Sequence, residues 1–399
     1  MIALPSLSFG QPYQMVNYMK LLASMRNFRH GFIRMLASRS KAVSLLALLM
    51  PFAAFSDSVT YGESEGTLAE DIWIYSSLEQ RRTAGLGRKI NNWLTVSGLL
   101  EVEVGERRDK VRNGLPELRE NIFISTLQLG LEAALSESLS AELLFESEWD
   151  DGNRSRLDEA FLALEGEKWV IEAGRLYLPF GVFYNNFITG PLLEFGETRG
   201  TGLVAYHSLS EAVVLRMFAF DGETENWKKN DALNWGVGFD LSSEDRAVRA
   251  GATYLADLTD AADVSGFDFA NSGRNRVGGL SGYVLVGLEP FEMSAEIIRS
   301  LREFAAFEED ANQPTAWYLE LAYAPRPSLL FAFRVEGSDE LPQEPQNQVG
   351  VSATWKLNQY AWLSVEYLFG RYKDGFVRDD SGNPFTTRRR FAIQVSAEF

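Results

Sequence analysis

The chain has 399 residues, a formal net charge of −17 and no cysteine. Without thiols it can form no disulfide, bind no metal through cysteine and perform no thiol chemistry. A chain this acidic is a poor partner for nucleic acid, because the phosphate backbone carries charge of the same sign.

The N-terminus has the pattern of an exported protein. Six basic residues precede the apolar run AVSLLALLMPFAAF at 42–55, and the first acidic residue is Asp57. A basic region, an apolar stretch of about 7–15 residues and small residues at its end are typical of a secretory signal peptide. A spanning helix needs roughly 20 apolar residues, so this run is too short for one. We therefore predict a signal peptide over residues 1–56, which leaves 32 basic and 55 acidic residues and a net charge of −23.

Residues 57–92 carry a weak helical stripe, which is followed by the linker-like stretch AGLGRKINN. We predict a short periplasmic N-terminal extension here, too short to fold as a plug. A disordered tail is the alternative interpretation.

The remainder of the chain alternates apolar and polar residues in segments of about ten residues. In LTVSGLLEVEV at 94–104, Leu100 and Val102 lie on one face, and Glu101 and Glu103 lie on the other. Segments of this length with one apolar and one polar face are the pattern of transmembrane β-strands. A closed barrel is also the only spanning structure besides the helix that satisfies every backbone group in lipid.

About sixteen such segments fit the ten-residue template. The connections between them alternate between short turns, such as 136–138, and long stretches, such as 105–119 and 176–200. Short periplasmic turns and longer extracellular loops follow from antiparallel up-and-down threading. We therefore predict an all-β fold, a transmembrane antiparallel up-and-down β-barrel of about 16 strands over residues 93–399. Its location would be the outer membrane of a Gram-negative bacterium.

The chain ends in RFAIQVSAEF, in which Phe391, Ile393, Val395 and Phe399 alternate with more polar residues. This end resembles the closing strand of Gram-negative outer-membrane barrels, where a terminal Phe is part of the assembly signal. The resemblance implies that Phe399 contacts the barrel assembly machinery. We expect outer-membrane lipid and lipopolysaccharide around the barrel, no nucleic acid partner, and an assembly that the sequence leaves open, with a homotrimer among the options.

The third long connection differs from the others. It is rich in aromatic residues and glycine, and it has neither the period of a helix nor the alternation of a strand. Pro179 and Pro191 stiffen it and its glycines let it bend, which suits a loop packed inside a wall. Since barrels of about 16–18 strands otherwise leave an open channel, we predict that this third outer loop folds into the lumen and narrows it. A surface loop whose aromatic rings pack on one another is the alternative.

The residues that we predict to form the constriction and the substrate passage are Tyr177, Phe180, Phe183, Tyr184, Phe187, Glu194, Phe195, Glu197 and Arg199.

Three motifs occur in and around this connection. They are GR-x-Y-x-PFG at 174–181, N-x-I-x-x-P-L at 186–192 and E-x-G-E-T-R-x-T at 194–201. In this arrangement residues 159–203 resemble the LbtU-type siderophore porins, named after the legiobactin receptor, although Gly190 stands where that family usually has Asp. The resemblance implies passage of a ferric siderophore across the outer membrane without a plug domain.

Charged residues on the polar faces of the predicted strands would point into the lumen. Rings of carboxylates favour cations and rings of Lys or Arg favour anions, so the acidic majority argues against a phosphate-selective porin. The alternative is that these charges only keep the wall hydrated and pair across strands. The lumen charges that we predict are Glu101, Glu103, Glu142, Glu146, Arg216, Glu292, Glu296, Arg334 and Glu366.

The function that we expect is that of a porin for ferric-siderophore uptake without a plug domain. A general or other substrate-selective, non-phosphate diffusion porin is the alternative, because the same barrel would serve any small solute. An energy-coupled receptor with a plug would need about 22 strands. An enzyme is disfavoured, since His207 lies at a predicted turn with no catalytic triad in view, and we expect neither a cofactor nor a metal site.

Overall fold

The computed structural model describes residues 87–112, 114–149, 154–222, 233–261, 276–304, 312–341, 344–379 and 381–399. The predicted signal peptide and residues 57–86 of the predicted extension lie outside this part of the chain. Within the helix α1 (Pro191–Gly196), the side chains of Leu193 and Glu194 also lie outside the description. In the described ranges, no helix is long and apolar enough to cross a membrane.

The described residues form a 17-stranded antiparallel sheet. Its strands are β1 (Arg88–Asn91), β2 (Leu94–Val111), β3 (Glu117–Ala134), β4 (Leu139–Glu148), β5 (Arg154–Gly166), β6 (Trp169–Tyr177), β7 (Arg199–Ser210), β8 (Val213–Gly222), β9 (Asn234–Ser242), β10 (Val248–Leu255), β11 (Gly279–Leu288), β12 (Phe291–Ser300), β13 (Thr315–Arg326), β14 (Leu329–Asp339), β15 (Asn347–Asn358), β16 (Ala361–Arg371) and β17 (Phe385–Glu398).

Strands β2 to β17 close into a barrel. Each pairs with its neighbours in the sequence, and β17 pairs back onto β2, from Phe385 opposite Val111 to Glu398 opposite Leu99. The predicted closed barrel of sixteen strands is therefore confirmed. Closure removes the free edges that would otherwise template aggregation.

The two faces of the strands follow the predicted period of two. In β13, for example, Leu319 and Leu321 are exposed, while Tyr318 and Glu320 between and beside them are buried. Side chains of alternate residues point to opposite faces of a sheet, and a closed sheet has only an outside and an inside. The exposed apolar face is therefore the outer wall, and the buried face that carries the carboxylates is the inner wall.

The structure differs from the predicted boundaries at two places. The stretch 105–119 is mostly strand, because β2 and β3 are 18 residues long and only residues 112–116 connect them. In addition, Arg88–Asn91 of the predicted extension form β1, which pairs with β2 through Arg88 opposite Val96. Strand β1 thus lies on the edge of β2 that β17 leaves unpaired beyond Leu99.

The barrel is sealed at the C-terminal residue. The backbone N–H of Phe399 donates to the carbonyl of Gly98 at 3.1 Å, and the N–H of Gly98 donates to the Phe399 carbonyl at 3.0 Å. The Phe399 ring covers Gly98 so closely that a Cβ at this position would lie 2.4 Å from a ring carbon. Only glycine fits under the ring.

Candidate functional site

Residues 178–198 connect β6 to β7, and an apolar cluster holds their base. Leu178 and Thr198 are joined by a backbone hydrogen bond of 2.8 Å. Phe180 and Phe195, both fully buried, pack with side chains of β5–β8 and with Ile298 of β12. These two rings were expected in the passage. Because they are fully buried, they do not face a passage and instead anchor the loop.

The loop backbone then meets a carboxylate of β12. The two side-chain oxygens of Glu296 accept the backbone N–H groups of Val182 and Phe183, at 2.7 and 2.8 Å. Phe183 has a φ of 54°, in the left-handed region that residues other than glycine rarely adopt. Beside it, the Tyr184 hydroxyl donates to Glu292 at 3.0 Å. One side chain of the wall thus supplies the acceptors for a strained turn.

Two more carboxylates continue this arrangement along the loop. Glu320 of β13 accepts both the backbone N–H and the side-chain amide of Asn186, at 3.0 and 2.7 Å. Glu366 of β16 accepts the backbone N–H of Ile188 and the hydroxyl of Thr189, each at 2.8 Å. Backbone N–H groups away from water require such partners when no regular secondary structure supplies them. We call Glu296, Glu320 and Glu366 the carboxylate latch.

Arg334 of β14 completes these contacts. Its guanidinium donates to the Thr189 carbonyl, lies 3.2 Å from the Asn185 side-chain oxygen and covers the Phe187 ring at 4.0 Å. Glu336 of the same strand pairs with it at 3.0 Å, and both side chains are buried. Arg334 was predicted as a lumen charge, but its charge is neutralised by Glu336 and used to hold the loop.

A β-bulge shapes the wall next to the base of the loop. Leu144 lies opposite Glu159, whereas the following residue, Phe145, lies opposite Leu157, so β5 carries one extra residue. That residue, Asp158, and its neighbour Glu159 are both buried, while Leu157 is exposed. The bulge therefore places two adjacent carboxylates on the inner wall, and strict alternation could not have predicted this.

Asp158 is the shared partner in a charged cluster at the two ends of the loop. It pairs with Arg156 at 3.0 Å and with Arg199, and it accepts the Tyr177 hydroxyl at 3.1 Å. Burial raises the pKa of the nearby Glu197 to about 7, and the negative charge of Asp158 contributes to that rise. The predicted residues Tyr177, Glu197 and Arg199 are thus brought together, around an aspartate that the sequence analysis missed. The predicted Glu194 has a side chain outside the described residues.

Several predicted lumen charges lie on the inner wall in ion pairs. Arg390 bridges Glu103 at 3.3 Å and Glu366 at 3.7 Å. Arg156 pairs with Glu146 at 2.6 Å.

The other predicted lumen charges also have buried or polar surroundings. Arg216 is fully buried and pairs at 3.0 Å with Asp240, a partner that the sequence analysis did not identify. Glu101 accepts the hydroxyl of Ser396 at 3.1 Å, and Glu142 is buried on the same wall. In the described part of the chain, no group of three His, Asp or Glu side chains is arranged to hold a metal ion.

A closed barrel of sixteen antiparallel strands with an apolar outer wall is the fold of the Gram-negative outer-membrane β-barrels, and the predicted outer-membrane location follows from it. The outer-membrane channel DcaP of Acinetobacter baumannii is similar in structure, with a TM-score of 0.55 and 14% sequence identity over 79% of this chain and 100% of that one. OmpF of Salmonella typhi, in complex with daunomycin, has a TM-score of 0.53 and 15% identity over 79% and 100%. OprB of Pseudomonas putida has a TM-score of 0.52 and 10% identity over 77% and 94%.

At these identities the likeness shows the fold alone. No protein-family model matches the chain, and no curated protein matches it in sequence.

Proposed function

We propose that the protein is a diffusion channel of the outer membrane, in which residues 178–198 cross the lumen and narrow it. The observation that carries this proposal is the carboxylate latch. The loop begins and ends between β6 and β7, yet its backbone donates to buried carboxylates of β12, β13 and β16. A loop that turned away from the barrel would not reach the inner faces of these strands.

The passage would then lie between the loop and the wall formed by β17 and β2–β5. Three arginines of this wall keep part of their side chains exposed: Arg107, Arg156 and Arg390 are 31, 27 and 26% exposed. Each is paired with a carboxylate, so a solute would meet alternating charges of both signs. Such a wall favours small polar or charged solutes over apolar ones.

Within this channel, the solute that we propose is a ferric siderophore, taken up without a plug domain. The support is the resemblance of residues 159–203 to the LbtU-type siderophore porins. Three residues of those motifs hold the loop in place. Asn186 donates a hydrogen bond to Glu320, Tyr177 donates one to Asp158, and Arg199 forms an ion pair with Asp158.

Gly190 is the position at which this chain departs from that family, which usually has Asp there. A Cβ at Gly190 would lie 3.1 Å from both the Arg334 guanidinium and a carboxylate oxygen of Glu336. These two side chains already form an ion pair, so the departure is not evidence for an acidic role at this place.

A general or other substrate-selective, non-phosphate porin is the second candidate, because the same barrel and its charged inner wall would serve any small polar solute. In either case we propose that the protein is not an enzyme, that lipid and lipopolysaccharide surround it, and that Phe399 is read by the barrel assembly machinery. A homotrimer is the assembly that we propose.

Growth of a deletion strain separates the two candidates. If the solute is a ferric siderophore, deletion impairs growth on that chelate as the sole iron source and leaves growth on sugars and phosphate normal. The wild-type gene restores growth, and a variant with residues 182–194 replaced by a Gly-Ser linker restores it with reduced chelate selectivity. Normal growth on every iron chelate tested, together with loss of another nutrient, would exclude the siderophore and leave the general porin.

Liposome swelling with the purified protein supplies the matching measurement in vitro. The panel contains iron chelates of increasing size and sugars of the same size. Faster entry of a chelate than of a size-matched sugar supports the siderophore proposal, and equal entry at each size contradicts it.

A further inference from the structure

Four basic side chains form a patch on the outer wall at the extracellular end of β2, β16 and β17. We call Arg108, Lys110, Arg371 and Arg389 the basic patch. Arg389 lies directly opposite Arg108, and Thr387 of β17 lies between Lys110 on one side and Arg371 on the other. Paired residues of an antiparallel sheet share a face, so all four side chains project from the same side of the wall. All four are exposed.

The basic patch has no compensating anion within the described chain. None of its four members forms an ion pair there, and the Arg389 guanidinium lies over the Phe369 ring, 6.0 Å from its centre. Glu106 and Glu120 lie on the same face, one row nearer the middle of the strands, and still leave the cations in excess. Like charges directly opposite each other, as in Arg389 and Arg108, destabilise a sheet. An anion from outside the chain would therefore stabilise these four side chains.

The position of the basic patch indicates what the anion belongs to. A tilted strand crosses the hydrocarbon band of the membrane with about ten residues. Counted from Phe399 at the sealed lower end, ten residues of β17 lead to Arg389 (399 − 389 = 10), and ten residues of β2 lead from its partner Gly98 to Arg108 (108 − 98 = 10). Apart from Glu106 and Glu120 in the next row, the outer wall below them is apolar, with Tyr367 and Ile122 exposed. The basic patch thus lies at the upper edge of this band, at the level of the lipid headgroups.

We propose that the basic patch binds the phosphate groups of a lipid in the outer leaflet, which is the lipid A part of lipopolysaccharide. Arginine and lysine side chains donate charge-assisted hydrogen bonds to phosphate oxygens, and aromatic and aliphatic side chains beneath them accept the acyl chains. The acidic chain as a whole, with its net charge of −17, would otherwise repel such a lipid. This inference depends on the barrel and its location and is independent of the solute that the channel carries.

The test is a titration of the full-length barrel, in a zwitterionic detergent, with bisphosphorylated lipid A. The variant carries Arg108→Gln, Lys110→Gln, Arg371→Gln and Arg389→Gln. The matched control loses the same charge from exposed residues of the periplasmic end, through Lys89→Gln, Lys168→Gln, Arg326→Gln and Lys356→Gln. We expect lipid A affinity to fall at least about tenfold in the patch variant and to stay unchanged in the control, with an affinity that weakens as salt is added.

Three further arms make the result decisive. Lipid A without its phosphates should bind the wild type as weakly as bisphosphorylated lipid A binds the patch variant, and inorganic phosphate at the same concentration should not displace lipid A. If the fourfold variant does not fold, as judged by its electrophoretic mobility before and after heating, the double variant Arg108→Gln/Arg389→Gln replaces it. Equal affinity of variant and wild type, or displacement by inorganic phosphate, overturns the proposal. A change in oligomeric state with unchanged lipid affinity also overturns it and assigns the face to a contact between copies.

Discussion

At the scale of single residues, Glu296 is the member of the carboxylate latch that accepts two backbone N–H groups of the loop. Its two carboxylate oxygens accept the backbone N–H groups of the buried Val182 and of Phe183, whose φ lies in the left-handed region. Leaving a buried donor without an acceptor costs about 1–3 kcal/mol for each group. Loss of both acceptors therefore weakens the hold of β12 on this turn.

Replacing Glu296 with alanine should therefore loosen the loop without opening the barrel. We expect single-channel recordings of Glu296→Ala in a planar bilayer to show a higher mean conductance and larger current fluctuations than the wild type. Glu101→Ala is the control, because Glu101 accepts from Ser396 of β17, on the strand that closes the barrel. Identical current traces for Glu296→Ala and the wild type would show that Glu296 does not restrain the passage.

Glu197 gives the site a dependence on pH. Burial raises its pKa from 4.5 to about 7. The folded protein therefore holds a proton between these values that the unfolded chain has released, and the contribution of Glu197 to the free energy of unfolding falls as the pH rises through this range. At pH 6 the group is mostly neutral, and at pH 8 it is ionised and adds a negative charge beside Asp158 and Arg199.

The reversal potential in a salt gradient measures this charge. We expect the preference for cations to increase between pH 6 and pH 8 in the wild type and this increase to shrink in Glu197→Gln. Glu211→Gln, at an exposed periplasmic turn, should retain the wild-type response. The pH response of Glu197→Gln matching the wild type would assign the titration to another group.

Residue roles were only partly predictable from the sequence. Tyr177 and Arg199 lie in recognisable motifs, but their partner Asp158 reaches them through a bulge that one sequence does not reveal. Likewise, Phe180 and Phe195 have the same aromatic character as rings that face a passage, yet the apolar inner faces of β5–β8 bury them. Burial of this kind depends on residues far away in the sequence and cannot be obtained from local patterns.

At the scale of elements, the seam between β2 and β17 determines whether the barrel closes. The ring of Phe399 occupies the space that any side chain at position 98 would need. Overfilling a well-packed site typically costs about 1–3 kcal/mol. The Phe399 ring would have to move, and with it the last hydrogen bonds of the closing strand.

Gly98→Val should therefore lower the yield of folded barrel and the temperature at which the folded form disappears on electrophoresis. The control is Gly287→Val in β11, where an added Cβ would have nothing within 4 Å. Phe399→Ala together with Gly98→Val should recover thermal stability in part, since the clash is removed, although Phe399→Ala also weakens the assembly signal that we propose. Equal stability of the Gly98→Val and Gly287→Val barrels would contradict the importance of this contact.

Strand order and number were predictable because the period of two and the alternation of short and long connections act locally and repeat along the chain. The residues at which the strands end were less predictable. The charged run at 106–110 has the composition of a loop, but it continues β2, since a strand beyond the apolar band can carry charge on either face. The basic stretch Arg88–Asn91 forms β1 because β17 ends before the first residues of β2, and β1 pairs on that edge with Leu94, Thr95 and Val96.

At the scale of the whole molecule, the closed wall and the loop have separate origins of stability. The strands are joined around the full circle by backbone hydrogen bonds, whereas the loop is held by its apolar base, the carboxylate latch and Arg334. Because the wall contacts the loop through its side chains and not through the backbone hydrogen bonds that join the strands, changing the loop should leave the barrel intact. Assembly of the barrel and permeation through it should therefore depend on different residues.

Single-channel conductance after removal of the loop tests the central claim, that residues 178–198 narrow a channel. The variant replaces residues 182–194 with a Gly-Ser linker and keeps Phe180 and Phe195 at the base. A matched variant shortens the connection between β8 and β9 (223–233) by the same number of residues that the first variant loses. We expect conductance to rise and size selectivity to fall in the first variant, with wild-type values in the second. Conductance that stays at the wild-type value in the folded first variant would contradict the account, because the loop would then lie outside the conducting path.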